Sequence, residues 1–396
     1  MPDAIMSLGI IPRSMTPAEP TNPFRYGALA LDEAFADRED ELAELEADAR
    51  NGQDVVIFAP RRFGKTSLIW RASQRLIADG VLVAHVNLMT TPTLAKLAEK
   101  LARTIHDDLA TPLFRARERL RIFQGLRIHP TVTVSPEDGS VSFSFDASHR
   151  REDVSATLER LLELPAQLAA ERNRRVVLVL DEFQEVVGID RDLTKLLRSV
   201  FQEQPEVAHV YLGSKRHMME RIFNDEHEPF WRSAKQIELG PIAPERFAAH
   251  VESRFEATGR RIEPEALDAV LTAAGGHPYA TQELCYFLWQ ETPAGETATT
   301  ERVATALTKV LRSEHAHFSL VWERASAAQR QVLEALAEEP GHPLSEAYRR
   351  RFGLPSAATV QTALLALERN ELIVRNRGAA SIGEPFLAEW LRRDEL

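Results

Sequence analysis

The stretch from residue 54 to residue 69 carries residue types that suit the binding of phosphate groups. A short β-branched apolar run leads into Ala59-Pro-Arg-Arg-Phe-Gly-Lys-Thr-Ser67, and a helical pattern follows it. The spacing matches the P-loop pattern except that Ala59 stands where the first glycine is usual. In such a loop, backbone N–H groups and the positive end of the next helix surround the phosphates. The stretch therefore predicts a strand, a phosphate-binding loop and a helix.

The side chains of this loop have separate expected roles. Gly64 lets the backbone approach a ligand closely, Lys65 can reach the β- and γ-phosphates, and Thr66 can ligate Mg²⁺ through its hydroxyl. The expected ligands are therefore ATP and Mg²⁺. The expected nucleotide contacts of the loop are Pro60, Arg61, Arg62, Phe63, Gly64, Lys65, Thr66 and Ser67. The alternative is an ordinary strand-to-helix turn, which the flanking patterns disfavour.

Two carboxylates follow a second apolar run about 115 residues further on. Residues 176–180 are all apolar, which is typical of a strand buried on both faces in a parallel sheet. Carboxylates at its carboxyl end point into the crevice where ligands bind in open α/β sheets. Asp181 would hold Mg²⁺ through water, and Glu182 would orient and deprotonate the attacking water. The alternative is a solvated acidic strand end, which is less favoured in a chain with a P-loop.

A third strand pattern, at residues 208–212, ends before Gly213 and Ser214. At that position Ser214 can sense the γ-phosphate or the attacking water. A serine that caps the next helix is an equally good interpretation.

Length and composition bound the remaining possibilities. A chain of 396 residues suggests two or three domains, and 44% hydrophobic with 27% charged residues is ordinary for a globular protein. No apolar run is long enough to predict a membrane span, and the first 20 residues have the pattern of a flexible tail, not of a signal peptide. The single cysteine, Cys285, excludes an intrachain disulfide and a Cys-based zinc site, and it favours a cytoplasmic protein.

The formal net charge of −11 argues against indiscriminate nucleic-acid binding but is compatible with a local basic surface. The densest positive charge lies in residues 115–127, and a hairpin pattern follows at residues 129–145. This basic helix and hairpin form a predicted insertion in the core, at about residues 115–147. It could contact a DNA backbone or a neighbouring subunit, and a solvated arm is an equal alternative. Its candidate DNA contacts are Arg115, Arg117, Arg119, Arg121 and Arg127.

The C-terminal part has the pattern of a winged helix, which is a helix-turn-helix variant. Three helical patterns precede a strand, a glycine turn and a second strand, at residues 328–337, 343–352, 355–369 and 372–382. In a DNA-binding winged helix the third helix enters the major groove and the wing touches the backbone, here through Arg375 and Arg377. Because this part is nearly neutral, protein contacts or a lid are equal alternatives.

Together these motifs resemble the archaeal-type P-loop ATPases, a family related to AAA+ proteins and to the signalling NTPases called STAND. Pro60-Arg-Arg-Phe-Gly-Lys-Thr-Ser67 is similar to the family's P-loop, or Walker A motif, Leu180-Asp-Glu-Phe-Gln184 to its Walker B strand, and Gly213-Ser214 to its sensor-1 position. Residues 22–42 resemble its N-terminal segment, in which an Arg-Glu pair, here beginning with Arg38, opens a helix near the adenine.

The resemblance covers about residues 22–392 and implies an α/β fold. Its parts would be a P-loop NTPase (AAA+-like) parallel-sheet core, a helical lid and a C-terminal winged helix. The predicted divisions are a flexible tail at 1–21, the core at 22–240, the lid at 241–300 and the winged-helix domain at 301–396.

Two further segments carry roles that the resemblance implies. Residues 228–240 resemble the segment in which an AAA+ arginine reaches the neighbouring subunit's site. Arg232 is the candidate for that arginine, with Arg221 and Arg216 as alternates. The other interpretation is that Arg232 is an ordinary surface arginine. An arginine that reaches a neighbouring site implies head-to-tail homo-oligomers, either rings or helical filaments.

The Gly275-Gly-His-Pro-Tyr279 run resembles the family's lid motif, by which His277 would face the phosphates and Pro278 the base or ribose. Standard AAA+ proteins have an arginine at the equivalent place, so the chain departs from them here. A helix-capping role is the alternative for His277.

The predicted function is that of an ATP-binding and ATP-hydrolysing AAA+-like ATPase, without a membrane partner. It would assemble head to tail and engage double-stranded DNA through the winged helix and the basic arm. The alternative is a STAND-like nucleotide switch that hydrolyses ATP slowly, gates a protein partner in signalling or defence, and does not bind DNA.

Overall fold

The computed structural model describes residues 21–27, 36, 38–109, 126–135, 141–145, 150–376 and 378–393. Its strands are β1 (Val55–Phe58), β2 (Leu82–Asn87), β3 (Thr131–Val134), β4 (Val141–Ser144), β5 (Val176–Asp181), β6 (Val207–Gly213), β7 (Lys235–Glu238), β8 (Arg261–Ile262), β9 (Thr297–Ala298), β10 (Ile373–Asn376) and β11 (Ala379–Ile382). Its α-helices are α1 (Glu39–Asn51), α2 (Lys65–Ala78), α3 (Leu94–Thr104), α4 (Arg151–Arg172), α5 (Val186–Ile189), α6 (Leu193–Phe201), α7 (Arg216–Asn224), α8 (Pro244–Ala257), α9 (Pro264–Ala274), α10 (Pro278–Glu291), α11 (Thr300–Arg324), α12 (Ala327–Glu338), α13 (Glu346–Arg351), α14 (Ala357–Arg369) and α15 (Pro385–Arg392).

The core is a five-stranded parallel sheet in the order β2-β5-β6-β1-β7. Its central strands are short apolar runs, and β1, β6 and the first five residues of β5 are buried. A strand covered on both faces needs apolar side chains on both, which is why these runs do not alternate with polar residues.

Helices cover both faces of this sheet. On one face, Val56 and Phe58 of β1 belong to a cluster with residues of α3 and α4. On the other face, Val55 and Ile57 belong to a cluster with residues of α1 and α2. Successive side chains of β1 therefore pack against opposite helical layers, as the two-residue period of a strand requires.

The predicted hairpin of the insertion lies against the body of the core. Strands β3 and β4 pair antiparallel, with Thr131 opposite Ser144. Phe143 and Phe145 are buried, and the Phe143 ring lies 5.5 Å from the ring of His106. Because Phe143 and Phe145 are two residues apart, this arm of the hairpin has one packed face. Arg127 is exposed and pairs with Asp153, whereas Arg115, Arg117, Arg119 and Arg121 lie outside the described residues.

Helices α8–α10 and the C-terminal helices form a second body with one shared hydrophobic cluster. The cluster contains Phe247 and Leu284 from the first group and Val332 and Trp390 from the second. Helix α11 joins the two and continues to Arg324. Its last turns are held by packing, because Phe318 is fully buried and its ring lies 6.0 Å from that of Trp390.

The C-terminal residues form the expected winged helix. Helices α12, α13 and α14 are followed by the antiparallel pair β10–β11 and then by α15. Ser356 caps α14 by accepting a hydrogen bond from the N–H of Thr359 at 3.3 Å. Helix α13 is shorter than its pattern suggested, because Ser345 caps it and sets its start at Glu346. Within the described ranges, no helix combines the length and apolar character that crossing a bilayer requires.

Candidate active site

A cleft of about 750 Å³ lies at the carboxyl ends of the central strands. Its size is in the range of small-molecule sites. Residues from the P-loop, the ends of β5 and β6, the lid and the winged helix all line it. Four of the predicted elements of the site therefore meet in one place, together with a fifth contributor, the winged helix.

The P-loop takes the backbone shape that its glycine allows. Gly64 has φ +83° and immediately precedes α2, and Arg62 is also left-handed at φ +66°. Lys65 is buried, and its Nζ donates to the carbonyl oxygens of Ala59 and Pro60 at 2.8 and 3.0 Å. Burial lowers the pKa of Lys65, and the charge of Glu182 opposes that shift. The structure thus holds one ammonium group at the base of the cleft.

Asp181 is fixed at the end of β5. Its Oδ2 accepts a hydrogen bond from Asn87 Nδ2 at 3.3 Å, and its Oδ1 accepts one from the N–H of Glu182 at 3.0 Å. Burial, followed by the neighbouring charge of Glu182, raises the pKa of Asp181. A cation bound beside it would counter both effects.

Thr66 and Asp181 line the same cleft and offer a hydroxyl and a carboxylate. Oxygen ligands of this kind suit Mg²⁺, so the donor set fits the metal that the family implies. These two residues would hold it, and when bound it would neutralise charge on the phosphates.

Glu182 is the most heavily constrained carboxylate of the cleft. Its backbone is left-handed at φ +55°, and its Oε2 accepts hydrogen bonds from Ser214 Oγ at 2.7 Å, from the Ser214 N–H at 3.3 Å and from Gln184 Nε2 at 2.5 Å. Burial alone would raise the pKa of Glu182, but these donated hydrogen bonds outweigh burial and hold its pKa below the usual range. Glu182 is therefore a carboxylate at neutral pH.

Gly213 makes this arrangement possible. A Cβ at that position would lie 2.4 Å from Met219 Cγ and 2.6 Å from Gln184 Oε1. Any larger residue would push against the side chain that donates to Glu182. Gly213 therefore leaves room for the Gln184 side chain, and Ser214 donates a hydrogen bond to the Glu182 carboxylate.

Another part of the cleft lining is largely apolar. Tyr26, Ile242, Phe247, Pro278 and Tyr279 line it, together with Arg25 and Arg38. The Tyr26 ring packs edge-on against Tyr279 at 5.8 Å. A wall with this chemistry suits a flat heterocyclic base. Tyr26 and Tyr279 were missed by motif analysis, because aromatic packing between distant segments leaves no local pattern.

Arg38 directly precedes α1, and its place near the adenine stays a prediction. Its guanidinium is nearly buried and donates to the carbonyl of Gly240 at 2.7 Å and to Glu41 at 2.9 Å. Arg38 therefore fastens the start of α1 to the end of the sheet, and it lines the cleft from there.

His277 lies beside the cleft and not in its lining. Its Nδ1 accepts a hydrogen bond from the N–H of Ala280 at 3.3 Å, which caps α10, and its ring lies 4.6 Å from that of Phe63. Burial, followed by the charge of Arg62, lowers the pKa of His277 to about 4. The phosphate-facing role of His277 stays a prediction, since the capping bond already uses one ring nitrogen.

Three arginines named as candidates for a neighbour's site lie outside the cleft lining that the described residues form. Arg232 is exposed, has φ +50° and lies 6.0 Å from the Trp231 ring. Arg216 pairs with Glu220 and Glu238. Arg221 pairs with Glu228 at 3.3 Å.

The winged helix supplies residues that motif analysis did not assign to the site. Arg369, Asn370 and Glu371, at the end of α14, line the cleft. Glu384, directly before α15, accepts from Arg62 of the P-loop at 2.8 Å, and that guanidinium lies 4.2 Å above the Tyr279 ring. No local signal marks these residues, because each is about 300 positions from its partner in the sequence.

Comparison with known proteins agrees with this geometry. The sequence profile of an ATPase domain found predominantly in Archaea matches residues 35–284, and that of a probable winged helix domain matches residues 316–393. A Walker-type ATPase of Pyrococcus abyssi is similar in structure, with TM-score 0.64 and 15% identity over 92% of this chain and 97% of that chain. The ORC2 protein of Aeropyrum pernix is also similar, with TM-score 0.54 and 16% identity over 90% of this chain and 93% of that chain. No curated protein matches the sequence. The expected parallel-sheet core with a C-terminal winged helix is thereby confirmed.

The buried state of His277 predicts a measurable pH dependence of stability. Its pKa is lowered from 6.5 to about 4 in the folded chain, so the unfolded chain binds the extra proton more readily. The free energy of unfolding should fall as pH drops from about 6.5 towards 4, by up to about 1.4 kcal/mol per pH unit from this group.

Denaturant titrations between pH 4.5 and 7.5 would measure this slope. Replacing His277 with Asn keeps a capping oxygen and removes the titrating ring, so His277→Asn should flatten the slope. His227→Asn, at an exposed histidine, is the matched control. An unchanged slope in His277→Asn would contradict the assigned state of this ring.

Proposed function

The chain belongs to the family of ATPase domains found predominantly in Archaea, and on that premise we propose that its cleft binds and hydrolyses Mg-ATP. The observation that carries the proposal is the meeting of Lys65, Thr66, Asp181 and Glu182 in one cleft. Lys65 and Thr66 come from the Walker A motif, and Asp181 and Glu182 come from the end of the Walker B strand. No purely structural role requires all four together.

Each group has a defined task in this proposal. Lys65 binds the β- and γ-phosphates, while Thr66 and Asp181 hold the metal. The P-loop N–H groups and the start of α2 bind phosphate oxygens. The wall formed by Tyr26, Ile242 and Phe247 receives the adenine.

Glu182 acts as the general base that takes a proton from the attacking water. Its hydrogen bonds keep it ionised, and they also fix the direction of the carboxylate. Because Oε2 is the oxygen engaged by Ser214 and Gln184, Oε1 is the oxygen that receives the proton. Ser214 positions the base in this scheme, and it couples the base to the end of β6.

We further propose that subunits assemble head to tail and that Arg232 enters the neighbouring site. Support comes from its exposure and from its position outside its own subunit's cleft lining. The adjacent Trp231 is 47% exposed, which is unusual for so large an apolar side chain. An interface that covers Trp231 would bring Arg232 with it.

The winged helix and the basic arm are proposed to engage double-stranded DNA. The Arg375 guanidinium lies on the wing and pairs with Glu368 at 3.4 Å, and Arg127 is 65% exposed at the start of the hairpin. Arg377 lies outside the described residues. A slow switch that gates a protein partner is not favoured by the structural relatives.

A cytoplasmic location also belongs to the proposal. Its support is Cys285, which is a buried free thiol.

Glu182→Gln tests the hydrolytic step. The amide keeps the size of the side chain but cannot accept a proton, so turnover should fall at least a hundredfold while ATP binding is retained. Phosphate release and ATP titrations would measure the two quantities, with Glu203→Gln at an exposed position as control. Normal turnover by Glu182→Gln would exclude the assigned base.

A mixing experiment tests whether Arg232 acts between subunits. Arg232→Ala keeps an intact cleft, and Glu182→Gln keeps an intact arginine. Each alone should be nearly inactive, whereas an equimolar mixture should regain a fraction of wild-type activity, because some clefts then meet an intact Arg232. Failure of the mixture to exceed the two separate activities would overturn the head-to-tail role of Arg232.

DNA binding should depend steeply on salt. Apparent affinity for a duplex should fall at least about tenfold between about 50 and 200 mM salt, because phosphate contacts release counterions. A variant with glutamine at the arm positions Arg115, Arg117, Arg119, Arg121 and Arg127 should bind more weakly and with a shallower salt slope.

The charge-matched control places glutamine at arginines outside the arm, namely Arg103, Arg174, Arg191, Arg261 and Arg324. Equal losses in the arm variant and the control would assign binding to overall charge. No binding at 50 mM salt would remove DNA from the proposal and favour the protein-gating alternative.

A further inference from the structure

Gln184 is a buried side chain beside the proposed catalytic base, and the sequence motifs assign it no role. It follows Glu182 by two residues, in the turn after β5, and it is 1% exposed. It is not part of the cleft lining that the described residues form, so it would not touch a bound nucleotide. The inference below rests on the proposed function, since it concerns how the Glu182 carboxylate is held during hydrolysis.

The amide group of Gln184 is fixed in one orientation. Its Nε2 donates to Glu182 Oε2 at 2.5 Å and to Glu185 Oε1 at 3.4 Å, so the amino end of the amide faces two carboxylates. A flipped amide would turn its carbonyl oxygen towards the same carboxylates, and their negative charges would repel it. Glu185 is itself held in place, because its Oε1 also accepts a hydrogen bond from Lys215 Nζ at 3.0 Å.

This orientation leaves the carbonyl oxygen of Gln184 without a hydrogen bond. Oε1 is buried and has no partner within the part of the chain that the structure describes. It lies next to Gly213, since a Cβ there would come within 2.6 Å of it. An unpaired buried oxygen destabilises a fold, because it has lost its water and gained no new partner. Packing alone therefore does not explain a glutamine at this position.

What the orientation provides is a second donor to the oxygen that Ser214 already holds. Ser214 Oγ donates to Glu182 Oε2 at 2.7 Å from the end of β6, whereas Gln184 donates from the turn after β5. A single hydrogen bond would allow the carboxylate to rotate, but two donors from different elements fix its plane. That plane decides where Oε1 of Glu182 points, and Oε1 is the proton-accepting oxygen of the proposed reaction.

We propose that Gln184 is a positioning residue for ATP hydrolysis, whose amide holds the Glu182 carboxylate in one plane while its own carbonyl oxygen stays unpaired. It acts through Glu182 and does not contact the nucleotide. Gln184 thus lowers the stability of the fold and raises the rate at which the attacking water gives its proton to Glu182 Oε1.

Single-turnover hydrolysis by Gln184→Met, with the protein in excess of ATP, tests this role. Methionine is also unbranched but donates no hydrogen bond, so the rate constant at neutral pH should fall by about tenfold or more. The dissociation constant for ATP should change less than about twofold, because Gln184 lies outside the described cleft lining. Gln184→Asn should behave in the same way, because its amide is too short to reach Glu182.

The pH profile of the rate constant separates positioning from packing. Burial alone would raise the pKa of Glu182, and the hydrogen bond from Gln184 is foremost among those that hold this pKa below its usual range. Without that donor the pKa rises, so Glu182 takes up a proton sooner as the pH falls. The acidic limb of the profile should therefore move to higher pH in Gln184→Met, whereas the loss of a packing residue would leave it in place.

Gln204→Met is the matched control. Gln204 is also buried, its Oε1 is also unpaired among the described residues, and its Nε2 donates to the carbonyl of Leu162 at 2.9 Å. The rate constant and the acidic limb should equal those of the wild type. Denaturant midpoints should fall no further in Gln184→Met than in Gln204→Met, since each change removes one donor and one unpaired oxygen. A Gln184→Met protein that is slowed without a shift of its acidic limb would overturn the positioning role.

The two levels of inference fail differently. If the wild type does not hydrolyse ATP in a single turnover, the proposed function itself is wrong. If the wild type hydrolyses ATP and Gln184→Met has the same rate constant and the same acidic limb, only the role of Gln184 is wrong.

Discussion

The parallel pairing of β5, β6 and β1 is the constraint on which the site depends. Ile57 lies opposite Leu212 across one pair, and Leu180 lies opposite Tyr211 across the other. All four are buried apolar or aromatic residues, so the register is fixed by packing on both faces of the sheet. Because the strands run in one direction, the P-loop, the Walker B carboxylates and Ser214 all emerge at one edge. A residue slip in any of the three strands would move one chemical group away from the others.

Charge within the cleft is balanced around one buried ammonium group. Lys65 shares the cleft with the carboxylates of Asp181, Glu182 and Glu371, and burial together with repulsion from Glu182 raises the pKa values of Asp181 and Glu371. Glu182 differs from the other two because donated hydrogen bonds stabilise its ionised form. One carboxylate is thus prepared to act as a base, while the surplus negative charge of the others favours a cation.

Local motifs were sufficient to predict part of this arrangement. Lys65 and Asp181 belong to short patterns whose spacing follows from strand and helix geometry, and the order of helices and strands at the C-terminal end predicted the winged helix. Contacts between distant segments could not be predicted in this way. Tyr26 meets Tyr279, and Glu371 enters the cleft, only because the lid and the winged helix fold back over the core. The sequence left two interpretations of His277 open, and the structure shows the capping one, since its Nδ1 accepts a hydrogen bond from the Ala280 N–H. Its phosphate-facing role stays a prediction.

The long helix α11 gives the second body of the molecule a mechanical property. It has 25 residues, which corresponds to a length of about 37 Å, and its buried side belongs to the cluster shared by the lid and the winged helix. A close-packed cluster resists internal deformation, so the two parts turn together as one lever. A rotation of about 10° of this unit about one end of α11 would displace the other end of the helix by about 6 Å. The lid and the winged helix are therefore tied into one unit in which a small turn becomes a displacement the size of a helical turn.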